Sequence, residues 1–332
     1  LTIPSLSAPL DVGGRTLRNR VVLAPMSGVT DLPFRDLAWR FGAGLVVTEM
    51  VASRELALNA RESWSRIRNC GIRPHMVQLA GREAHWMAEA ARIAEGEGAD
   101  IIDINMGCPA KKVIGGYSGS ALMRDPDHAL GLIEATVGAV KVPVTVKMRL
   151  GWDHDSLNAP HIAARAEAAG AAMITVHGRT RMQFYEGKAD WDAIRAVRDV
   201  LSIPLVANGD VDTADDAREI LRRSGADAVM VGRGAQGRPW HPAVLAGAAH
   251  PSTEEIAAVA VEHYRMMLDF YGVEAGLRHA RKHVGWYLER FAPGFTGPAK
   301  AEIMTARDSD AVADRLATAL LAGGAARLGE AA

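Results

Sequence analysis

Chemically capable side chains stand in or just after short apolar runs of this chain. Cys108 comes after Asn105 in Asn105-Met106-Gly107-Cys108-Pro109 and heads a loop that runs through Lys111, Lys112, Gly115, Gly116 and Gly119. A thiol on such a loop can donate a proton or act as a nucleophile. Cys70, by contrast, is expected to be a small buried hydrophobe. Lys147, close before Arg149, can form a Schiff base or stand as a cation beside a ligand oxygen, and a salt bridge with Glu49 is its structural alternative. Gln78 carries donor and acceptor side by side, which suits the edge of a planar heterocycle such as a flavin pyrimidine. Asn208-Gly209-Asp210 and Gly232-Arg233-Gly234 are small-residue turns where backbone N–H groups can approach an anion, with Arg233 as counter-charge.

The elements that must position these groups are legible as eight Val- and Ile-rich runs: 21–26, 45–50, 75–79, 101–106, 144–149, 173–178, 204–209 and 228–233. Several are apolar nearly throughout, the pattern of parallel strands covered on both faces. Between them lie Ala/Leu/Glu/Arg-rich stretches such as 83–96 and 213–223, which predict helices. Phrases such as Glu97-Gly98-Ala99-Asp100 and Ser224-Gly225-Ala226-Asp227 recur before strands, and glycine there stops a helix. Eight strand–helix units predict an α/β fold of the closed (β/α)8 type, a TIM barrel, rather than an open doubly wound sheet. No GxGxxG follows the first strand, which ends in Ala24-Pro25-Met26-Ser27-Gly28.

In such a barrel the reacting groups sit at the C-terminal ends of the strands. That rule draws a ring: Met26, Glu49, Gln78, Asn105 with Cys108, Lys147 with Arg149, His177, Asn208 with Asp210, and Gly232 with Arg233. After Pro239-Trp240 strand signals stop, and helices are expected over 252–272, 274–290 and 311–321. The division is therefore a barrel at 1–241 and an all-helical C-terminal domain at 242–332.

A length of 332 residues accommodates a barrel of about 250 and a smaller appendage. With 48% hydrophobic and 23% charged residues the chain is neither disordered nor fibrous. Two distant cysteines give no disulfide framework and no metal-knuckle spacing, so no metal is expected and a reducing cytoplasm is the expected compartment. Residues 1–10 do not read as a secretory signal, and no apolar run is long enough to predict a membrane span. A net charge of −1 excludes a uniformly basic nucleic-acid binder. The stretch 276–300 nevertheless sets Arg278, Arg281, Lys282, Arg290 and Lys300, with His279 and His283, against Glu289 alone. It is either a solvated face or a polyanion patch.

Several blocks carry a family resemblance: Ala24-Pro25-Met26-Ser27-Gly28-Val29-Thr30-Asp31, Asp103-Ile104-Asn105-Met106-Gly107-Cys108-Pro109-Ala110-Lys111-Lys112-Val113, and Val176-His177-Gly178-Arg179-Thr180-Arg181. Ala207-Asn208-Gly209-Asp210, Gly232-Arg233-Gly234-Ala235-Gln236-Gly237-Arg238-Pro239-Trp240 and Ala280-Arg281-Lys282-His283 extend it along nearly the whole chain. The chain resembles the tRNA-dihydrouridine synthases, the bacterial B-type branch most closely. The resemblance implies an FMN enzyme, reduced by NADPH or NADH, that reduces a uridine of the tRNA D-loop and works as a monomer. It implies flavin contacts from Ala24, Pro25, Met26, Gln78, Lys147, His177, Asn208, Gly209, Asp210, Gly232 and Arg233. Cys108 is then the catalytic acid, Asn105, Arg149 and His177 face the target base or its phosphate, and Lys111, Lys112, Arg281 and Lys282 meet the RNA. Three other readings fit the residues less well: an FMN barrel reducing a free small molecule, a Schiff-base lyase built on Lys147, and a catalytically silent tRNA-binding protein.

Overall fold

The structure is a computed structural model, and it describes residues 3–115 and 117–330, without the side chains of Lys112, Ile114 and 325–330. An antiparallel hairpin comes first, β1 (Leu10–Val12) and β2 (Arg15–Leu17). Nine strands of one parallel sheet follow: β3 (Val21–Leu23), β4 (Leu45–Val46), β5 (Val51–Ala52), β6 (Met76–Ala80), β7 (Ile101–Met106), β8 (Val144–Arg149), β9 (Met173–His177), β10 (Leu205–Asn208) and β11 (Ala228–Val231). Their order is β4-β3-β11-β10-β9-β8-β7-β6-β5. Because β4 and β5 lie on one short segment and Val47 bridges Met76, the two ends of the series meet there. Nine strands thus make the eight expected staves of a TIM barrel.

The expected strand 45–50 is the one that breaks. Thr48 explains it: its hydroxyl accepts the Gln78 N–H at 3.0 Å, taking a ladder bond away from a backbone carbonyl. The interruption frees Glu49 to turn toward Gly28, whose N–H it accepts. The initial hairpin was not foreseen. Leu10, Val12 and Leu17 pack with Val22, Leu45, Met76, Ile101, Met173, Val206 and Met230, the lower, inward residues of the barrel, so the hairpin stoppers its base. Its turn requires Gly13, which has φ +57° and whose missing Cβ would stand 2.7 Å from Pro143 Cβ.

After β11 the chain is helical: His241–Leu245, Thr253–Tyr271, Val273–Phe291, Gly297–Thr305 and Ser309–Glu330. Ser252 and Glu255 form a capping box, each side chain accepting the other's N–H, at 3.2 and 2.7 Å. The helix Gly297–Thr305 was not expected, and the last helix extends beyond 311–321 at both ends. Among the described residues no helix is long and apolar enough to cross a membrane.

The helices build a second core from Tyr264, Met267, Val284, Tyr287, Leu288, Phe291, Leu316 and Leu320, and that core takes in Leu37 and Trp240 from the barrel side. Trp240 is 1% exposed and packs its ring against Phe41, Tyr287 and Phe291. A polar tie lies alongside: Tyr271 donates its hydroxyl to Asp31 Oδ2 at 3.0 Å, and Asp31 caps the first barrel helix, Leu32–Phe41. Since Trp240 joins the two cores, Trp240→Ala should cost about 3–5 kcal/mol, read as a lower midpoint in urea unfolding. A cost within about 0.5 kcal/mol, the range of neutral surface changes, would show that the joint is not made there.

Candidate active site at the barrel mouth

Strand register stacks the inward side chains in layers. Gln78, Asp103 and Thr145 are lateral neighbours on β6, β7 and β8. One layer nearer the C-terminal ends, Asn105 pairs with Lys147 and Lys147 with Thr175. Above these, Arg149 pairs with His177 and His177 with Asn208. The expected ring from β6 to β10 is thereby assembled by period-two alternation on adjoining parallel strands.

Lys147 donates to Asn208 Oδ1 at 3.2 Å, and Asn208 Nδ2 donates to Met230 O at 2.8 Å. The alternative salt bridge to Glu49 is not formed; Glu49 is engaged with Gly28. Burial, and next the Arg149 charge, bring the Lys147 ammonium down to about 8, with Asp103 opposing them. Gln78 donates Nε2 to Asp103 Oδ2 and accepts from Asn105 Nδ2, both at 2.7 Å. A carboxamide has two hydrogens and two lone pairs, so Gln78 keeps one of each for a ligand.

Cys108 is half-buried at the head of its loop. Asn105 Oδ1 accepts the N–H groups of Gly107 at 3.2 Å and Cys108 at 3.0 Å, closing a tight turn. From the far side of the loop Ser120 donates its N–H and hydroxyl to Cys108 O, at 3.0 and 2.9 Å. Gly119 permits that approach, at φ +61° with its missing Cβ only 2.8 Å from Cys108 O. The thiol lies near enough to Lys147 and Arg149 to act electrostatically on both. Lys111 is exposed on the short helix Lys111–Ile114, and the side chain of Lys112 lies outside the described residues.

Arg149 is 1% exposed and committed to carbonyls: Nε to Gly107 O, and Nη1 to Thr180 O and Phe184 O, each at 2.8 Å. It therefore buckles the Cys108 loop to the loop after β9, leaving the ring face of Tyr185, 5.6 Å away, as its outward contact. Tyr185 is 54% exposed and also lies under Arg233, at 5.4 Å. Arg233 donates to Asp210 Oδ1 at 3.1 Å, while Asp210 Oδ2 takes Arg179 Nη2 and the Ala189 N–H, both at 2.7 Å. Burial would raise the Asp210 carboxyl, but the Arg179 and Ala189 hydrogen bonds and the Arg233 charge hold it below the usual range. His177 is driven far below its ordinary range by burial and then by Lys147, Arg149, Arg179 and Arg233 around it. Its neutral Nε2 stands 3.3 Å from Arg179 Nη1.

Ala24, Met26 and Gly232 come together because β11 pairs with β3, and the nearest atoms to a Cβ built on Gly232 would be Met26 Sδ at 3.7 Å and Ala24 Cβ at 3.8 Å. That makes a small-residue cradle beside half-buried Pro25. Gly209 has φ +125°, and its missing Cβ would fall 3.0 Å from the His177 ring, so the backbone turns tightly there.

Sequence reasoning missed Asp103, Arg179, Arg181 and Tyr185 as members of the site. The arginines were in view two and four residues after His177, but nothing in their spacing says that Arg179 is 1% exposed or that Arg181 lies between the Trp152 and Phe184 rings. The basic stretch 276–300 does not form one face. Arg278 pairs with Glu274, Lys300 with Glu289, and Arg290 donates to Gln236 O. Arg281 is exposed beside Tyr264 and Ile303, whereas Lys282 Nζ comes to 3.1 Å from where a Gly28 Cβ would be, at the mouth. Cys70 is exposed rather than buried, because the loop after Arg61–Ile67 runs over the surface, where its thiol donates to Asp36 Oδ1 at 3.4 Å.

A family model described as dihydrouridine synthase matches residues 22–321. A probable tRNA-dihydrouridine synthase of Rhizobium leguminosarum bv. phaseoli is 77% identical over 93% of this chain and 97% of its own. A tRNA-dihydrouridine synthase B of Pseudomonas syringae pv. tomato is 47% identical over 83% of this chain and 85% of its own. Among solved structures, morphinone reductase is similar in fold, with TM-score 0.54 and 15% identity over 76% of this chain and 92% of that one.

The Lys147 ammonium makes the site pH-sensitive. Its native value of about 8 lies below the unfolded 10.5, so between them the unfolded chain binds the extra proton and stability rises with pH. In denaturant titrations across that window the rise should be smaller for Lys147→Met than for the wild type. Parallel curves would mean that the ammonium is not perturbed by the fold.

Proposed function

Because the chain belongs to the dihydrouridine synthase family, we propose that it reduces the C5–C6 bond of a D-loop uridine in tRNA, with FMN as resident cofactor and NADPH or NADH as reductant. The observation that carries the reading is the Asn105–Cys108 turn, which holds a half-buried thiol within electrostatic reach of Lys147 at the end of the barrel where reacting groups gather. The donor set suits a flavin. Ala24, Pro25, Met26 and Gly232 would form the cradle, Gln78 would meet a donor–acceptor ring edge, and Lys147 would balance negative charge there. Asn208, Gly209 and Arg233 would hold the phosphate end, with Asp210 acting chiefly by orienting Arg233 and Arg179, and neutral His177 beneath them.

Reduced FMN, when bound, supplies the hydride that adds to C6 of uracil. The Cys108 thiol gives its proton to C5, and the remaining Asn105 Nδ2 hydrogen is available to the uracil carbonyl on which charge develops. Arg149 shapes the pocket through its three carbonyls and offers Tyr185 as a ring beside the incoming base. The target base must leave its stack to reach this depth, which calls for a grip on the surrounding RNA. In this reading 1–241 is the catalytic barrel and 242–332 the RNA-binding domain of a cytoplasmic monomer. Lys282 at the mouth and Lys111 on the Cys108 loop would meet phosphate, and Arg281 lies beside Tyr264 and Ile303.

Cys108→Ala should bind FMN and accept electrons from NADPH as the wild type does, yet form dihydrouridine about 100-fold more slowly in a single turnover with tRNA. Undiminished product would remove the thiol from the mechanism. Lys282→Glu should weaken tRNA binding and flatten its salt dependence by about one ion. Equal loss of flavin reduction would make Lys282 a structural residue of the mouth.

A further inference from the structure

The carboxylate of Asp103 lies in the layer of Gln78, one beneath Asn105 and Lys147, 2% exposed, and accepts from Gln78 Nε2 at 2.7 Å and Thr145 Oγ1 at 2.5 Å. An ionised carboxylate has no hydrogen to give, so an amide facing it must turn its NH2 group inward. That requirement sets Gln78, whose Oε1 is left to accept from Asn105 Nδ2. The same logic passes on. With its NH2 group toward Gln78, Asn105 has to present Oδ1 to the turn, where it receives the Gly107 and Cys108 N–H groups. Reversing any amide would set two donors or two acceptors face to face in a buried site.

We propose that Asp103 is a positioning residue whose acceptor-only carboxylate aligns the Gln78 and Asn105 amides and through them holds the Cys108 turn. The proposal rests on the reading of Cys108 as proton donor. Amides alone do not supply this alignment, since a Gln–Asn pair has two self-consistent arrangements related by flipping both. The carboxylate at one end and the Gly107 and Cys108 N–H groups at the other select the observed one. Thr145 supports the selection, because its hydroxyl satisfies the other carboxylate oxygen. Asp103 has a second effect at the same place: its charge supports the Lys147 ammonium against burial and Arg149.

The test uses flavin-loaded Asp103→Asn. Its first readout is the rate at which iodoacetamide alkylates Cys108, followed peptide by peptide, with exposed Cys70 as the internal control. A misaligned turn should change the Cys108 rate about threefold or more, leave Cys70 unaltered, and slow reoxidation of the reduced enzyme by tRNA about tenfold. The alkaline limb of the reoxidation profile should move to lower pH as Lys147 loses its support. Unchanged alkylation of Cys108 overturns the proposal whatever the turnover. So does equal change at both cysteines with loss of flavin and of melting temperature, the mark of a general core residue. A Cys108-selective change with undiminished reoxidation sustains the positioning and counts instead against the thiol as acid. Should Asp103→Asn not fold, Thr145→Val keeps the charge and removes one donor, and it should give a smaller shift confined to Cys108. No shift there overturns the proposal as well.

Discussion

A lysine ammonium inside a barrel loses the water that would solvate it, and the mouth of this protein is arranged around that loss. Desolvating such a cation costs several kcal/mol unless neighbours compensate. Here Asn208 accepts from it, and Asp103 faces it from the layer below. Once the cation is tolerated, its neighbours are constrained in turn. Asp103 has to stay ionised at neutral pH, which the Gln78 and Thr145 hydrogen bonds favour against the burial that raises it to about 6. His177 has to stay neutral, because it is buried and four cations surround it. The arrangement of polar groups is thus one connected solution rather than eight separate strand caps.

The same economy governs the arginines. Arg149, Arg179 and Arg35 are all nearly inaccessible, yet each spends its hydrogens on loop carbonyls or on a carboxylate. A guanidinium presents five hydrogens in a rigid fork, so it can hold several chain segments at once. Arg149 joins the loops after β7 and β9 in this way. Arg35 does so for the segment 66–68 against Thr30. Loops that carry function are thereby fixed without a large apolar core of their own.

How far the sequence foretold this differs by element. Seven of the eight staves fall within a residue or a few of the expected runs, because strands covered on both faces leave a nearly unbroken apolar signature. Thr48 interrupts the remaining one by a side-chain hydrogen bond that no periodicity records. The hairpin of β1 and β2 is too short to show alternation, and its turn glycines were as compatible with a loop. At the site, rank order along the strands was enough to collect Gln78, Asn105, Lys147, His177 and Asn208, since register does the rest. It was not enough for the long side chains. Whether Arg149 faces a ligand or a carbonyl, and whether the cations of 276–300 share a face, depend on helix rotation and on partners distant in the chain. The loop position separated Cys108 from Cys70 in the sequence, but that Cys70 lies exposed on a surface loop was not legible there.

The stoppered base of the barrel bears on access. With Leu10, Val12 and Leu17 wedged beneath the lowest inward layer, the interior is a cul-de-sac. Among the described residues the base is closed, so a molecule bound for the polar ring would come from the C-terminal ends of the strands. The direction of approach is thus set by a short apolar ribbon at the opposite pole from the polar ring.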